Sequence, residues 1–466
     1  MPNPKANVSP RRSVGARDGW IARLNARPGE GPKYLSIAQG LATAVGAGEL
    51  APGDRLPPQR RVAEALGCDL TTVTRAYAHA RAMGLLDGEV GRGTFVRGAV
   101  SPTGPIIDLS MNLPPPAGEE SLRDLIGRGL AAMLKNNDPA ALMTYRSGMG
   151  SLRDKRAAAA WLQPLLGEID TARICVAPGA QAALAALLAM LAHTGDAVLA
   201  EPFTYPGFLA AARLLGVRVA ALACDDEGPL PEALEAQCTR VRPKAIYLNP
   251  TLQNPTTRTI SAVRREAIVA IARNHDLTII EDDAYGLFAP NVTPLARLAP
   301  ERVIYLSTLA KCLSPGLRTA FVVSPPALSA QVSEALRAAF LMPVPLLSDM
   351  AVHWIESGVA KRLFIAIAAE SAARMKLARK ILPARARGGL GGFHLWMSAP
   401  LGWSAQAYAA AARAQGVVIV ASRDFATEMD AEPGVRISLG APPDRETLAR
   451  GLCALAALEA EADDDK

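Results

Sequence analysis

Seven short apolar runs punctuate the middle of this 466-residue chain: RICVAP (173–178), AVLAEP (197–202), VRVAAL (217–222), AIYLNP (245–250), LTIIEDD (277–283), VIYLSTLAK (303–311) and TAFVVSP (319–325). They show little alternation of apolar and polar side chains, and helical segments such as 180–192, 205–215 and 261–275 stand between them. A strand with one wet face alternates, whereas a strand covered on both faces does not. The pattern predicts an α/β fold with a mostly parallel seven-stranded sheet between helical layers. Ligands of such sheets sit beyond the carboxyl ends of the strands. The residues just past each run therefore matter most.

Five of the runs end in a polar or turn element. After the first, Pro178-Gly179-Ala180-Gln181 opens an apolar helix whose free N–H groups suit a phosphate, as those of many α/β loops do. After the second, Tyr205 in EPFTYPG is either a flat surface for a planar ligand or a packed loop tyrosine. NPTLQNPT offers the amides of Asn249 and Asn254, and the fifth run ends in Glu281-Asp282-Asp283-Ala284-Tyr285. A carboxylate buried at a strand end calls for a cationic partner. After the sixth comes Lys311, with Thr308 before it and Arg318 after it. Taken singly, Lys311 reads more readily as a surface lysine after a strand. Held at a strand end beside Arg318, it would lose affinity for its proton and become a nucleophilic amine. A phosphate cradle, a stacking ring, a buried aspartate and a Schiff-base lysine are together the contacts that pyridoxal phosphate requires.

Charge is distributed unevenly along the chain. Residues 1–100 carry 14 Lys/Arg against 8 Asp/Glu, and the remaining 366 carry 36 of each. The whole positive excess lies in the first fifth, which points to a module for a polyanion. After a Pro-, Gly- and Arg-rich lead-in (1–30), helical spacing begins near Tyr34, resumes in QRRVAEAL and again in TTVTRAYAHARAMG. Leu85-Leu86 and Thr94-Phe95-Val96, joined by DGEVGRG, read as a hairpin. Three helices and a hairpin predict a winged helix-turn-helix over 31–98. Thr71, Thr72 and Arg75 of its third helix would meet phosphates and base edges, and Arg92 would lie on the wing. A Gly/Ser/Pro linker (99–105) separates it from a second domain at 106–466, with a large part over about 150–340 and a small part over about 341–466.

The six cysteines lie scattered, with no C-x-x-C pair and no His cluster, so no metal site is expected and a reducing, cytoplasmic setting is. The longest apolar stretch, 182–192, is too short for a membrane span, and no secretion signal is legible.

Residues 31–98 closely resemble the GntR-type winged-helix family, through G-x-L-x-P-G-D-R-L-P, T-T-V-T-R-A-Y and the wing G-R-G-T-F-V. The resemblance implies contacts with double-stranded DNA from Arg55, Arg60, Thr72, Arg75 and the wing. Residues from about 106 to 455 resemble the class I/II aminotransferases of fold type I, through Y-R-S-G-M-G-S-L-R, N-P-T-L-Q-N-P-T, E-D-D-A-Y, S-T-L-A-K-C-L-S-P-G-L-R, G-G-F-H-L-W and G-V-R-I-S-L. This second resemblance implies that Lys311 forms the Schiff base with pyridoxal phosphate and that Asp282 pairs its ring nitrogen. It further implies that Asn254 and Tyr285 bond the ring hydroxyl, that Tyr205 stacks on the ring, and that Ala180, Gln181, Thr308 and Arg318 hold the phosphate. Tyr145 would reach the partner subunit's phosphate site, and Arg436 would grip a ligand carboxylate. The usual N-P-T-G is N-P-T-T here, and Cys312 follows the lysine. The two parts in this order resemble the MocR subfamily of regulators. That likeness implies a head-to-tail homodimer sensing an amine or amino acid; a genuine aminotransferase with an accessory reader is the alternative.

Overall fold

The computed structural model describes residues 20–21, 32–46, 49–50, 54–83, 85–89, 93–96, 106–118, 121–136, 138–389, 391–428 and 434–464. The lead-in apart from Trp20 and Ile21, the linker 99–105 and Arg92 lie outside them. The chain divides into two units, one of residues 1–106, 399–418 and 457–466, the other of residues 107–398 and 419–456.

In the first unit, helix α1 (Lys33–Gly46) packs with α2 (Gln59–Leu66) and α3 (Leu70–Ala82). Their apolar stripes, Ile37/Leu41, Val62/Leu66 and Val73/Ala76/Tyr77/Ala80, form one core with Trp20 and Ile21. Gly67 closes α2 in the left-handed region at φ 55°, where a Cβ would be strained. Lys33 Nζ completes the cap by donating to Leu66 O at 2.8 Å. The hairpin β1 (Leu86–Glu89) and β2 (Gly93–Val96) is longer than the sequence suggests, since Asp87, Gly88 and Glu89 join the ladder. Leu56 N donates to Thr94 O and Val96 N to Asp54 O, which adds a third edge to the wing. The helix Ala405–Ala414 belongs to this unit, with Ala407 in the same core.

The second unit is built on seven strands, one for each apolar run: β3 (Ile174–Ala177), β4 (Ala197–Ala200), β5 (Arg218–Ala221), β6 (Ala245–Leu248), β7 (Thr278–Asp282), β8 (Val303–Thr308) and β9 (Ala320–Val323). Their spatial order is β3-β9-β8-β7-β6-β4-β5, and β9 runs antiparallel to both its neighbours. All seven runs therefore take their places, and the sheet is mixed by this one strand. Hydrophobic clusters on both faces account for the missing alternation. A smaller sheet joins β10 (Ala386–Arg387), β11 (His394–Ser398), β12 (Val420–Ala421) and β13 (Gly434–Ser438) in the order β10-β11-β13-β12.

Candidate functional site

Strand β8 is buried along its whole length and delivers Lys311 on the single turn Leu309–Cys312. Thr308 caps that turn, its Oγ1 accepting the N–H of Ala310 at 3.1 Å. Lys311 Nζ donates to the main-chain oxygen of Asn112 at 2.6 Å. Burial pushes the lysine down to about 8; Arg436 adds to the fall and Asp282 opposes it. Sequence alone points to Arg318 as the neighbouring cation. The structure gives that part to Arg436, because Arg318 lies against Gly179 instead.

Asp282 ends β7, paired with Leu306 of β8. It lies between two other acids, but successive strand residues point to opposite faces, and the flanking pair finds its partners elsewhere, although Asp283 Oδ1 is buried without one. Glu281 accepts the N–H groups of Leu295 and Ala296 at 2.9 and 2.7 Å and meets Arg265 at 3.4 Å. Asp283 accepts from Tyr305 OH at 2.8 Å. Asp282 has only Tyr247 OH on its Oδ2, at 2.7 Å. Burial pushes its carboxyl up to about 6, against the Tyr247 bond. No arginine or lysine forms an ion pair with it among the described residues, and Lys311 acts on it only through space.

Ala177 of β3, Ala320 of β9 and Thr308 of β8 stand in register across the sheet, so the turns adjoining them gather at one edge. Gly179 there has φ 102°, and a Cβ on it would lie 2.4 Å from Nη2 of Arg318. A bare backbone, a guanidinium and the open N-terminus of helix α4 (Ala180–Leu191) thus form an anion cradle. Gln181 donates to Gly207 O at 2.8 Å, and its Oε1 is buried without a partner. Gly207 also leaves room for Tyr205, since a Cβ there would sit 2.4 Å from the phenol ring.

On the opposite side, Tyr285 OH accepts from Asn112 Nδ2 at 2.6 Å. Asn254 Oδ1 accepts from Arg436 Nη1 at 2.8 Å, and Ser110 O accepts from Nη2 at 2.5 Å. Arg436 is only 8% exposed, makes no ion pair among the described residues, and keeps a buried Nε with no partner. A guanidinium buried this way has the charge and the free N–H to accept a carboxylate. Tyr145, by contrast, is 79% exposed.

Three members of the site are not evident from sequence reasoning. Tyr247 is the polar tip of an apolar run, which is the one signal that could have found it. His394 gives no clustered signal; its Nε2 lies 3.1 Å from Gln253 O, its ring 5.4 Å from that of Tyr285, and burial lowers it to about 3. Asn112 stands in MNLPPP, far from any strand end, and only the fold brings it to Lys311.

In the first unit, Thr71 and Arg75 are exposed one turn apart on α3, and Thr72 is half-buried. The Arg75 guanidinium rests over the Tyr34 ring at 4.4 Å. Arg55 and Arg60 are exposed. Among the described residues no group of three or more His, Cys, Asp or Glu is placed to hold a metal, and no helix is long and apolar enough to cross a membrane.

Comparison with known proteins agrees with both units. Residues 33–96 match the bacterial regulatory proteins of the gntR family, and residues 105–455 match aminotransferase class I and II. The chain is 32% identical to the uncharacterized HTH-type transcriptional regulator YdeF of Bacillus subtilis over 91% of its own length and 94% of that protein's. It is 28% identical to the probable rhizopine catabolism regulatory protein MocR of Rhizobium meliloti, over 71% of this chain and 73% of that one. The structure of LysN, the α-aminoadipate aminotransferase of Thermus thermophilus complexed with N-(5'-phosphopyridoxyl)-L-leucine, superposes with a TM-score of 0.68 at 26% identity, over 84% of this chain and all of that one. Class I and II aminotransferases depend on pyridoxal phosphate. With a gntR-type reader ahead of a complete class I and II aminotransferase domain, this chain belongs to the family of GntR-type regulators fused to an aminotransferase-like domain.

Proposed function

We propose that this protein is a regulator whose second unit holds pyridoxal phosphate and senses an amine or amino acid, the first unit carrying the response to DNA. The supporting observation is the set of buried groups left without partners. Asp282 makes no ion pair among the described residues, Arg436 Nε lacks a partner, and the Gly179–Arg318 edge is shaped for an anion. A ring nitrogen, a carboxylate and a phosphate would complete them, so the residues present fit the group. When bound, pyridoxal phosphate supplies an aldehyde that condenses with amines and a ring that draws electrons.

The chain's own residues divide the work. Gly179, Ala180, Gln181, Thr308 and Arg318 hold the phosphate; Asp282 keeps a proton on the ring nitrogen, and Tyr205 covers one ring face. Asn254 and Tyr285 orient the ring hydroxyl. Lys311, depressed to about 8, offers a substantial neutral fraction near neutrality as the amine that an incoming ligand replaces. Arg436 selects ligands that carry a carboxylate. Arg55, Arg60, Thr71, Thr72, Arg75 and Arg92 face DNA, in a cytoplasmic setting. A head-to-tail homodimer accounts for exposed Tyr145 and for Leu122, Ile126, Leu130 and Leu134, which recur every fourth residue on the helix Leu122–Asn136 and are 37–50% exposed.

Borohydride reduction of the cofactor-loaded protein tests the core of this reading. The expected result is a pyridoxyl group on Lys311, found by peptide mass, and its loss in Lys311→Ala. Attachment to a different lysine overturns the assignment. Vigorous multiple turnover with amino acids and 2-oxoglutarate would make the protein an enzyme rather than a sensor.

A further inference from the structure

The segment Ser110–Asn112 crosses the site and touches its reactive groups with main-chain oxygens. Ser110 O takes Arg436 Nη2 at 2.5 Å, and Asn112 O takes Lys311 Nζ at 2.6 Å. These are the two donors that the proposed ligand and cofactor require. The Asn112 amide adds a third tether by donating to Tyr285 OH at 2.6 Å. The ends of the segment are pinned elsewhere. Ser438 N donates to Leu109 O at 2.8 Å, Asp108 Oδ1 accepts the N–H of Ser110 at 2.8 Å, and Leu113 O packs so close to Gly440 that a Cβ there would lie 1.7 Å away.

We infer that Ser110–Asn112 is a built-in surrogate ligand: a strap whose carbonyls occupy Arg436 and Lys311 and which a carboxylate-bearing ligand must displace. This inference rests on the proposed function. Its chemistry is an exchange of acceptors. A neutral carbonyl on a buried guanidinium is a weaker partner than a carboxylate, which carries the opposite charge and can take two parallel N–H groups at once. The free Nε and the adjacent Nη2 form one edge of the guanidinium, so a carboxylate docking there contends with Ser110 O for Nη2. Lys311 loses donors independently. A free ammonium has three N–H groups, and a lysine nitrogen condensed with an aldehyde, with water leaving, keeps at most one. The two tethers therefore answer to different guests, Asn112 O to the cofactor and Ser110 O to the ligand carboxylate. In sequence the strap lies close to the start of the second unit at Ile107, fourteen residues beyond Val96.

Hydrogen exchange of the full chain, followed on peptides covering 109–113, separates the possibilities. Two probes are used: pyridoxine 5'-phosphate, with ring and phosphate but neither aldehyde nor carboxylate, and N-(5'-phosphopyridoxyl)-L-alanine, which adds an amino acid. Both are expected to protect the Gly179 region. Only the adduct is expected to speed exchange in 109–113, by about three-fold or more, as the Ser110 tether is lost. Equal strap exchange with both bound probes overturns the strap. Failure of both to bind overturns the proposed function instead. Asn112→Ala supplies a second reading. Removing the Tyr285 tether loosens the strap, so the adduct is expected to bind several-fold more tightly; weaker binding would make Asn112 an ordinary ligand contact and sink the inference.

Discussion

The two units solve the problem of placing functional groups in opposite ways. The reader keeps an apolar core of short helices and carries Arg55, Arg60, Thr71 and Arg75 exposed on its outside. The second unit withdraws its candidate functional groups from water: Asp282, Tyr285 and Arg436 are buried and Lys311 half-buried, with their proton affinities moved or their partners missing. A surface group can be removed at little cost to the fold. A buried charge cannot, because the structure around it was built to hold it or to hold its guest. Contact with DNA and stability should therefore separate cleanly in the first unit and remain entangled in the second.

The sharpest way to break that contrast is Asp282→Ala. Losing the carboxylate proposed to face the ring nitrogen is expected to weaken pyridoxal phosphate by about 3 kcal/mol, roughly a hundred-fold, because one partner of a buried charged pair is gone. Spectroscopic titration of the cofactor measures it, and an unchanged dissociation constant would mean that Asp282 does not face the ring. A change of similar size is expected in the cofactor-free protein for Lys311→Met, but it should depend on pH. Burial lowers the folded pKa of Lys311 from 10.5 to about 8, so the folded state binds fewer protons than the unfolded state in that window. Wild-type stability then falls, relative to the methionine variant, as pH drops from above 10.5 to below 8. The melting temperature of Lys311→Met should exceed that of wild type near neutrality, by up to about 3 kcal/mol of stability, and the gap should close toward alkaline pH. A gap independent of pH would trace the effect to packing. The smallest effect belongs to the reader. Arg75→Ala should cost about 1–2 kcal/mol of operator affinity while leaving both melting temperature and cofactor absorbance in place, the result expected of an exposed contact. Loss of stability there would erase the distinction between the units.

The same contrast governs what could be read from the chain. The reader's elements are contiguous, and each helix stripe and cap lies within a few residues of its partners, so its fold was legible; only the length of the hairpin was not, since Asp87-Gly88-Glu89 looks like turn chemistry and pairs only because Thr94, Phe95 and Gly93 lie opposite. In the second unit all seven strands were visible, and so were the groups placed at their ends. The hidden members came from parts of the chain with no periodicity to betray them. Asn112 reaches Lys311 across 199 positions and Arg436 reaches Ser110 across 326, and neither pairing leaves a mark on local sequence. The error over Arg318 has the same origin. Proximity in sequence suggested it as the charge beside Lys311, while the antiparallel strand β9 carries it to Gly179 and the distant β13 brings Arg436 in its place.

The row Glu281-Asp282-Asp283 also bears on how long the protein survives. Glu281 is absorbed by the protein's own donors, whereas Asp282 and Asp283 each accept a single tyrosine hydroxyl and Asp283 Oδ1 is buried unpaired. A guest that pairs with such sparsely partnered acids and binds only the folded form stabilises the chain, by an amount that grows with the logarithm of its concentration. The lifetime of the chain would then track the supply of the cofactor, before any effector is present to be sensed.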